Sequence, residues 1–333
     1  MQRTPKYLLA LGAMGLSTVI GQPQARAGAI LGVDVANYIV MYEGGSSGAQ
    51  LSINNFGTPT SRIWNGDIGI AGTGQLAASG PGTLNGNINF AASDTGQSSI
   101  SNTTINGTVN FGVPAVQTTM NNLNSLSSTL GALAGTGTAL TINTSSTQTV
   151  QTNTGAGAIN GINYNLFNVT SVSSNNGENL ILQSDGTRSV VIDVNTSGAA
   201  QFHGNILLED MTSKFFSDAG YAGLFPDQVL FNLYGGALLT GGDKLDVNNN
   251  GDAAHPANII EADFLDPNGV ISFVNTRITG RIFGGDSQNM QIVSDDTITL
   301  PLGRSHQEVP EPGTLLGTAL AGLGVIRRRR RTV

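Results

Sequence analysis

The sequence predicts an all-β body, a β-solenoid of the parallel β-helix type, with one α-helix over about residues 114–134 packed alongside. Three observations predict it. An Asn-Gly unit followed by alternating apolar residues recurs as Trp64-Asn-Gly-Asp-Ile-Gly-Ile70, Leu84-Asn-Gly-Asn-Ile-Asn-Phe90 and Ile105-Asn-Gly-Thr-Val-Asn-Phe111. Its glycines, Gly66, Gly86 and Gly107, stand 20 and 21 residues apart, the length of one solenoid coil. The 83 residues from Thr95 to Gly177 contain no Asp, Glu, Lys, Arg or His, and draw their polarity from Asn, Thr, Ser and Gln. Disordered chains are charge-rich and poor in β-branched residues, the reverse of this stretch. Lastly, Val116, Met120, Leu123, Leu126, Leu130 and Leu133 recur at spacings of three and four, one face of a helix.

Each element has a local reason. In the repeats, glycine is expected to supply a left-handed corner, and the alternating residues a short strand with its apolar side inward. Hairpins with Asn-Gly turns are the competing reading. The stretches before the repeats, such as Ala77-Ala-Ser-Gly-Pro-Gly82, are poor strands and favour the solenoid. Pro114 suits the first helical turn and Gly135 the position just past the last. The opposite helix face, with Thr118, Asn121, Asn122, Asn124, Ser125 and Ser128, is a weak helix former, so packing on a sheet must support it. Strand-like runs then crowd the second half: 180–182, 189–194, 205–208, 228–234, 258–260, 270–274, 277–283, 290–293 and 297–300. The glycine-centred pattern returns in Phe202-His-Gly-Asn-Ile-Leu207 and Ile278-Thr-Gly-Arg-Ile-Phe283.

Composition excludes some functions. The chain has no cysteine, hence no disulfides and no thiolate metal site. Eight of its 15 Lys and Arg lie in the two termini, while 21 of its 22 acids lie between them. The body is therefore near −14 although the whole chain is −7. Such a surface does not suit nucleic acid, whose affinity comes from cations on phosphates. It suits divalent cations or a hydrated polysaccharide matrix.

Candidate chemistry is sparse. Asp246-Val-Asn248-Asn-Asn250-Gly-Asp252 places oxygen ligands at alternate positions before a glycine, as calcium loops do. The bidentate Glu of such loops is missing, because Ala257 holds that position, and Glu261 or Asp263 would have to reach in. An Asn- and Gly-rich surface turn is the other reading, so calcium is the one cofactor in question. His203, His255 and His306 are scattered, and no nucleophile elbow, zinc helix or P-loop occurs. A β-helical enzyme acting on polysaccharide would draw on Asp193, Glu209, Asp263, Arg277 and Arg281, but acids among solenoid strands are expected to face solvent. Phe215, Phe216 and the aromatics of 221–225 suit a small local core or a platform for sugar rings.

The two ends read as addresses. Arg3 and Lys6 precede an apolar run from Tyr7 to Ile20, and Ala25-Arg26-Ala27 gives a small-x-small cleavage pattern, so residues 1–27 are expected to be a signal peptide that signal peptidase recognises through Ala25 and Ala27 and cuts after Ala27. Residues 309–333 combine Pro310, Glu311 and Pro312 with an apolar stretch and then Arg327, Arg328, Arg329, Arg330 and Arg331. The 14 residues from Gly313 to Ile326 make about 21 Å of helix against a hydrocarbon core of about 30 Å, which fits transient membrane insertion better than a durable anchor. This tail resembles the PEP-CTERM sorting signal, which implies processing by an exosortase-type enzyme.

The body, residues 28–302 before a linker at 303–308, resembles the choice-of-anchor A family of surface proteins. The likeness lies in Tyr164-Asn-Leu-Phe-Asn-Val169, Val190-Val-Ile-Asp-Val194, Val229-Leu-Phe-Asn-Leu-Tyr234, Leu265-Asp-Pro-Asn-Gly-Val-Ile-Ser-Phe273, Ile278 to Gly285 and Met290-Gln-Ile-Val293. Segments 211–226 and 241–256 depart from that pattern as insertions. The order of repeat and helix is also similar to ice-binding-type adhesin domains. These resemblances imply a non-catalytic, secreted cell-surface or extracellular-matrix protein associated with exopolysaccharide. The alternatives are a β-helical polysaccharide-acting enzyme and an ice- or small-ligand-binding module.

Overall fold

The computed structural model describes residues 31–301, apart from residue 32 and segments 46–47, 55–62, 145, 154–156, 160–161, 175–176, 197–198, 235–243, 249–257, 268, 286–288 and 294–296. Its strands form a parallel solenoid of triangular section. An 18-stranded sheet folds over two faces, A and B, and a nine-stranded sheet makes face C. The first coil shows the plan: Tyr38–Tyr42 on face A, Gln50–Asn54 on B, Ile63–Asn65 on C, then Asp67–Ile70 on A again. Apolar residues at alternate positions fill the interior, from Trp64, Leu84 and Phe90 to Phe231, Phe264 and Ile298.

The spatial order of the coils is not their order in sequence. Tyr38–Tyr42 pairs in parallel with Asp67–Ile70 on one side and with Ile282–Gly284, from the last coil, on the other. The first described strand thus lies in the middle of the stack, and from it the chain winds outward to a first end at Ser98–Ser101, Thr104–Ile105 and Val109–Asn110. The helix, α1, Pro114–Leu133, then runs back along the outside. A second end begins with Thr138–Thr144 and Gln148–Gln151, and the chain winds inward until Thr299 meets Asn65.

The helix has the predicted limits, with proline in its first turn and Val116, Met120, Leu123 and Leu130 buried. They pack on outward residues of face A: Met41, Val191, Leu230, Leu265 and Phe283. Face A is therefore covered on both sides, which explains runs such as Ser189–Val194 in which every residue is buried. Gly135 does not serve as a left-handed cap. The chain tightens into a 3-10 turn over Ala134–Thr136, closed by Gly137 N–H donating to the Ala134 carbonyl at 2.9 Å.

Of the repeat glycines, Gly66 has the positive φ expected of a corner, 138°, and the other two have a different cause. Gly86 and Gly107 lack left-handed backbone angles. A Cβ on Gly86 would lie 2.1 Å from the Gly66 carbonyl oxygen, and one on Gly107 2.2 Å from that of Gly86. Coils approach too closely at this C-to-A corner for any side chain. The run 277–283 bends there too, splitting into Thr276–Thr279 on face C and Ile282–Gly284 on face A around Gly280. Gly204 turns a different corner, from face B to face C. Lys244–Asn248, within a supposed insertion, is a regular face B strand paired with Val270–Val274.

Candidate functional site

Face B carries one continuous row of outward side chains in parallel register. From the first end to the second it reads Ser99, Ala77, Ser52, Gln291, Ser272, Asp246, Gln201, Ser173 and Asn143. Alternation along each strand puts the apolar partners inward and leaves short polar groups at the spacing of parallel strands, about 4.8 Å. Some are tied along the axis: Gln291 Nε2 donates to Ser272 Oγ at 2.8 Å, and in the adjoining row Ser79 Oγ donates to Asn54 Oδ1 at 2.9 Å. On face C the repeat asparagines form a ladder. Asn106 Nδ2 donates to Asn85 Oδ1 at 2.8 Å, and Asn85 Nδ2 to Asn65 Oδ1 at 2.9 Å. The asparagine of each Asn-Gly unit therefore locks coil to coil.

Of the four residues expected to bind calcium, Asp246 and Asn248 lie on the face B strand just described, and Asn250 and Asp252 lie outside the described residues. Asp246 Oδ2 is 4.0 Å from His203 Nε2. Among the described residues no three His, Asp or Glu side chains gather as a metal site would require. Ala25, Ala27, Pro310, Glu311, Pro312 and Arg327 to Arg331 also lie outside the described residues.

The acids and arginines considered for catalysis are dispersed. Asp263 and Arg281 meet, at 3.0 Å, but as a buried ion pair. Asp193 is fully buried on the outer side of face A, while Glu209 and Arg277 belong to face C strands. The expectation of solvent-facing acids fails at Asp193, Asp263 and Glu209: the helix and the 226–228 turn cover the first two, and the segment that follows Asp210 bridges back over Glu209 at Phe215.

Beneath the helix lies a polar row that the sequence did not single out. Ser127 Oγ donates to Asn232 Oδ1 at 2.6 Å, and Asn232 Nδ2 donates to Asp193 Oδ1 at 2.7 Å. Asp193 Oδ2 and, on the next strand in register, Asn168 Oδ1 are buried without a hydrogen-bond partner among the described residues. Burial pushes the Asp193 carboxyl up to about 6. Burial, and secondarily the Asp193 charge, pushes Tyr164 up to about 12. A Ser-Leu-Ser pattern facing an apolar-acid alternation was the available signal, but helix and strand are far apart in sequence.

The segment after Asn205–Asp210 is a satellite core. Phe216, Tyr221 and Phe225 meet edge to face with centroids 5.7–6.4 Å apart. Asp210 holds its start, accepting from the Thr212 hydroxyl and from the N–H groups of Thr212, Lys214 and Ala222. The Thr212 hydroxyl leads these bonds in holding the carboxyl down near 2. Its contribution to stability is complete above the ordinary aspartate range and lost as pH falls towards 2. Asp210→Ala should therefore loosen this segment at neutral pH, read as faster amide exchange over residues 212–222, with wild type and variant converging near pH 2.

Known proteins give limited comparison. No family model and no curated protein matches the chain. Solved structures do match in backbone path. An ice-binding protein from an Antarctic biological consortium shares 13% identity over 89% of this chain and 99% of its own, with a TM-score of 0.43. An ice-binding protein from the Antarctic ascomycete Antarctomyces psychrotrophicus shares 14% identity over 81% and 96%, at 0.47. One from an Arctic yeast shares 14% over 84% and 96%, at 0.41. The solenoid itself rests on the strand register above. No helix among the described residues is long and apolar enough to cross a membrane.

Proposed function

We propose that this chain is a non-catalytic, secreted surface or matrix protein whose face B holds an extended, hydrated polysaccharide. The observation that carries the reading is the in-register row from Ser99 to Asn143. A polymer laid along the axis meets accessible hydroxyl and amide groups at Ser99, Ser52, Gln291, Gln201, Ser173 and Asn143, with Ser272 buried beneath the row, and the dispersal of acids and bases argues for holding rather than cutting. Signal peptidase acting at Ala25 and Ala27, and an exosortase-type enzyme acting at Pro310, Glu311 and Pro312 ahead of Arg327 to Arg331, would deliver it there. Calcium bound through Asp246, Asn248, Asn250 and Asp252 would sit beside the same face.

The test is binding to a panel of acidic and neutral polysaccharides, with and without calcium. Retention without shortening is expected, and Gln291→Arg, a bulky change mid-row, should weaken it about tenfold. Shortened chains would overturn the reading in favour of an enzyme. A second reading, binding of ordered water or ice, is favoured by the small flat patch of Ser52, Ala77 and Ser99. Gln291, Asp246 and Gln201 interrupt that patch further along. Thermal hysteresis without polysaccharide binding would decide for it.

A further inference from the structure

Every terminal strand of the stack belongs to the charge-free stretch. Among the described residues the first end is Ser98–Ser101, Thr104–Ile105 and Val109–Asn110, and the second is Thr138–Thr144 and Gln148–Gln151 with the short antiparallel strand Gly157–Ile159, all within residues 95–177. Because the first described strand lies in the middle of the stack, one uninterrupted segment supplies both ends and the helix that joins them. An acidic molecule thus carries its charges around its waist and none on the strands at its two tips. Exposed sheet edges are normally guarded by charges or proline, and neither guard stands on these strands.

The edges are also unfinished. Among the described residues each first-end strand pairs on one side only, with Gln75–Ser79, Thr83–Asn85 and Ile88–Phe90 respectively. Val109 is 37% exposed, and Ile100, Ile105 and Phe111 are only partly buried, whereas the equivalent Leu84, Ile88 and Phe90 of the next coil are fully enclosed. Phe111 stacks on Phe90 at 4.8 Å with its other face turned towards the open end. The side-chain rows end in complementary groups. The face B row ends in Ser99 at one tip and Asn143 at the other. On face C, Asn106 at the first end spends its amide on Asn85 and keeps its carbonyl oxygen for a further coil. Thr149 at the second end is exposed, with a hydroxyl able to donate.

We propose that copies of this chain stack head to tail, first end on second end, continuing the solenoid as a filament. The occupant of each open edge is a second copy because that copy alone brings the same triangular section, the same parallel register and another charge-free tip. Head-to-tail order is favoured over head-to-head on two grounds. Apart from the short hairpin of Gly157–Ile159 with Ile162–Ser174 at the second end, every strand pairing between coils among the described residues is parallel, and only head-to-tail stacking repeats that. The helix has no acidic residue in its first turn, no basic residue in its last and no side-chain N-cap bond, so its own residues leave its end dipoles uncompensated. Head-to-tail stacking brings opposite helix ends together, and head-to-head brings like ends together. Such a contact is heterologous and does not close on itself.

The test uses the full chain and two double substitutions of exposed residues that terminate the face B row. Ser99→Glu with Asn143→Glu puts like charges across every head-to-tail junction, and Ser99→Glu with Asn143→Lys puts opposite ones there. Wild type is expected to form concentration-dependent assemblies by sedimentation, and rods in negative stain with an axial repeat of about 43–48 Å, nine to ten coils at about 4.8 Å. The Glu/Glu chain should associate about fivefold or more weakly per junction, and the Glu/Lys chain at least as well as wild type. Matching thermal midpoints show that all three are folded. A wild type that stays monomeric at its solubility limit overturns the proposal, as does a Glu/Lys chain that associates no better than Glu/Glu. These outcomes are read without polysaccharide, so they stand apart from the binding function proposed above.

Discussion

Gly86→Ala is expected to destabilise the protein by about 3 kcal/mol or more, because the added methyl has nowhere to go. Its Cβ would sit 2.1 Å from the Gly66 carbonyl oxygen, a backbone atom of the adjoining coil. Relief requires prising two coils apart at the corner, which breaks the Gly66 N–H bond to the Asn85 carbonyl and the Ile68 N–H bond to the Asn87 carbonyl. It also strains the asparagine ladder at Asn65 and Asn85. Gly107→Ala makes a comparable contact, 2.2 Å from the Gly86 oxygen, but at the terminal coil, which can shift outward. The expected order is therefore Gly86→Ala worse than Gly107→Ala, measured by denaturant midpoint. Equal, small effects would show that this corner is not as close-packed as its geometry requires.

Asp193→Asn should stabilise the protein at pH 8 by roughly 2–3 kcal/mol and change little at pH 4. Asp193 is fully buried, and its carboxyl is raised from 3.8 to about 6. A group raised in the folded state contributes most below its ordinary value, and that contribution is lost as pH rises through about 6. Glu261, raised to about 7 chiefly by burial while it accepts from Leu208 N–H, acts in the same direction. Wild-type stability should thus fall between pH 4 and 7, and Asp193→Asn should remove part of that slope. The new amide would still accept from Asn232, and its N–H would face Asn168 Oδ1, which has no hydrogen-bond partner among the described residues. The result is an asparagine ladder of the kind that Asn110 makes with Asn89. Thermal melts across that pH range check it, and an unchanged slope would place the buried charge elsewhere.

Much of this was legible because it follows from local periodicity. The stripe from Val116 to Leu133 is a helix with the bounds its spacing implies, and each Asn-Gly repeat begins one coil. The candidate site was less legible. The face B row mixes residues from both halves of the chain, so Ser52 lies beside Gln291 and Asp246 beside Gln201. No sequence window contains such a row. The polar cluster of Ser127, Asn232 and Asp193 escaped notice for the same reason, since two of its members are 105 residues apart.

The sequence by itself determined the class of fold, the single helix, the coil length and the uncharged stretch, because each depends on side chains a few positions apart. Only the tertiary structure decided which coils are neighbours. Parallel strands of similar apolar pattern fit one another almost interchangeably, so nothing local distinguishes a stack that grows from one end from one that starts in the middle. That choice turned the uncharged stretch from an oddity of composition into both tips of the solenoid. It also turned Gly86 and Gly107, expected as flexible corners, into contacts between backbones.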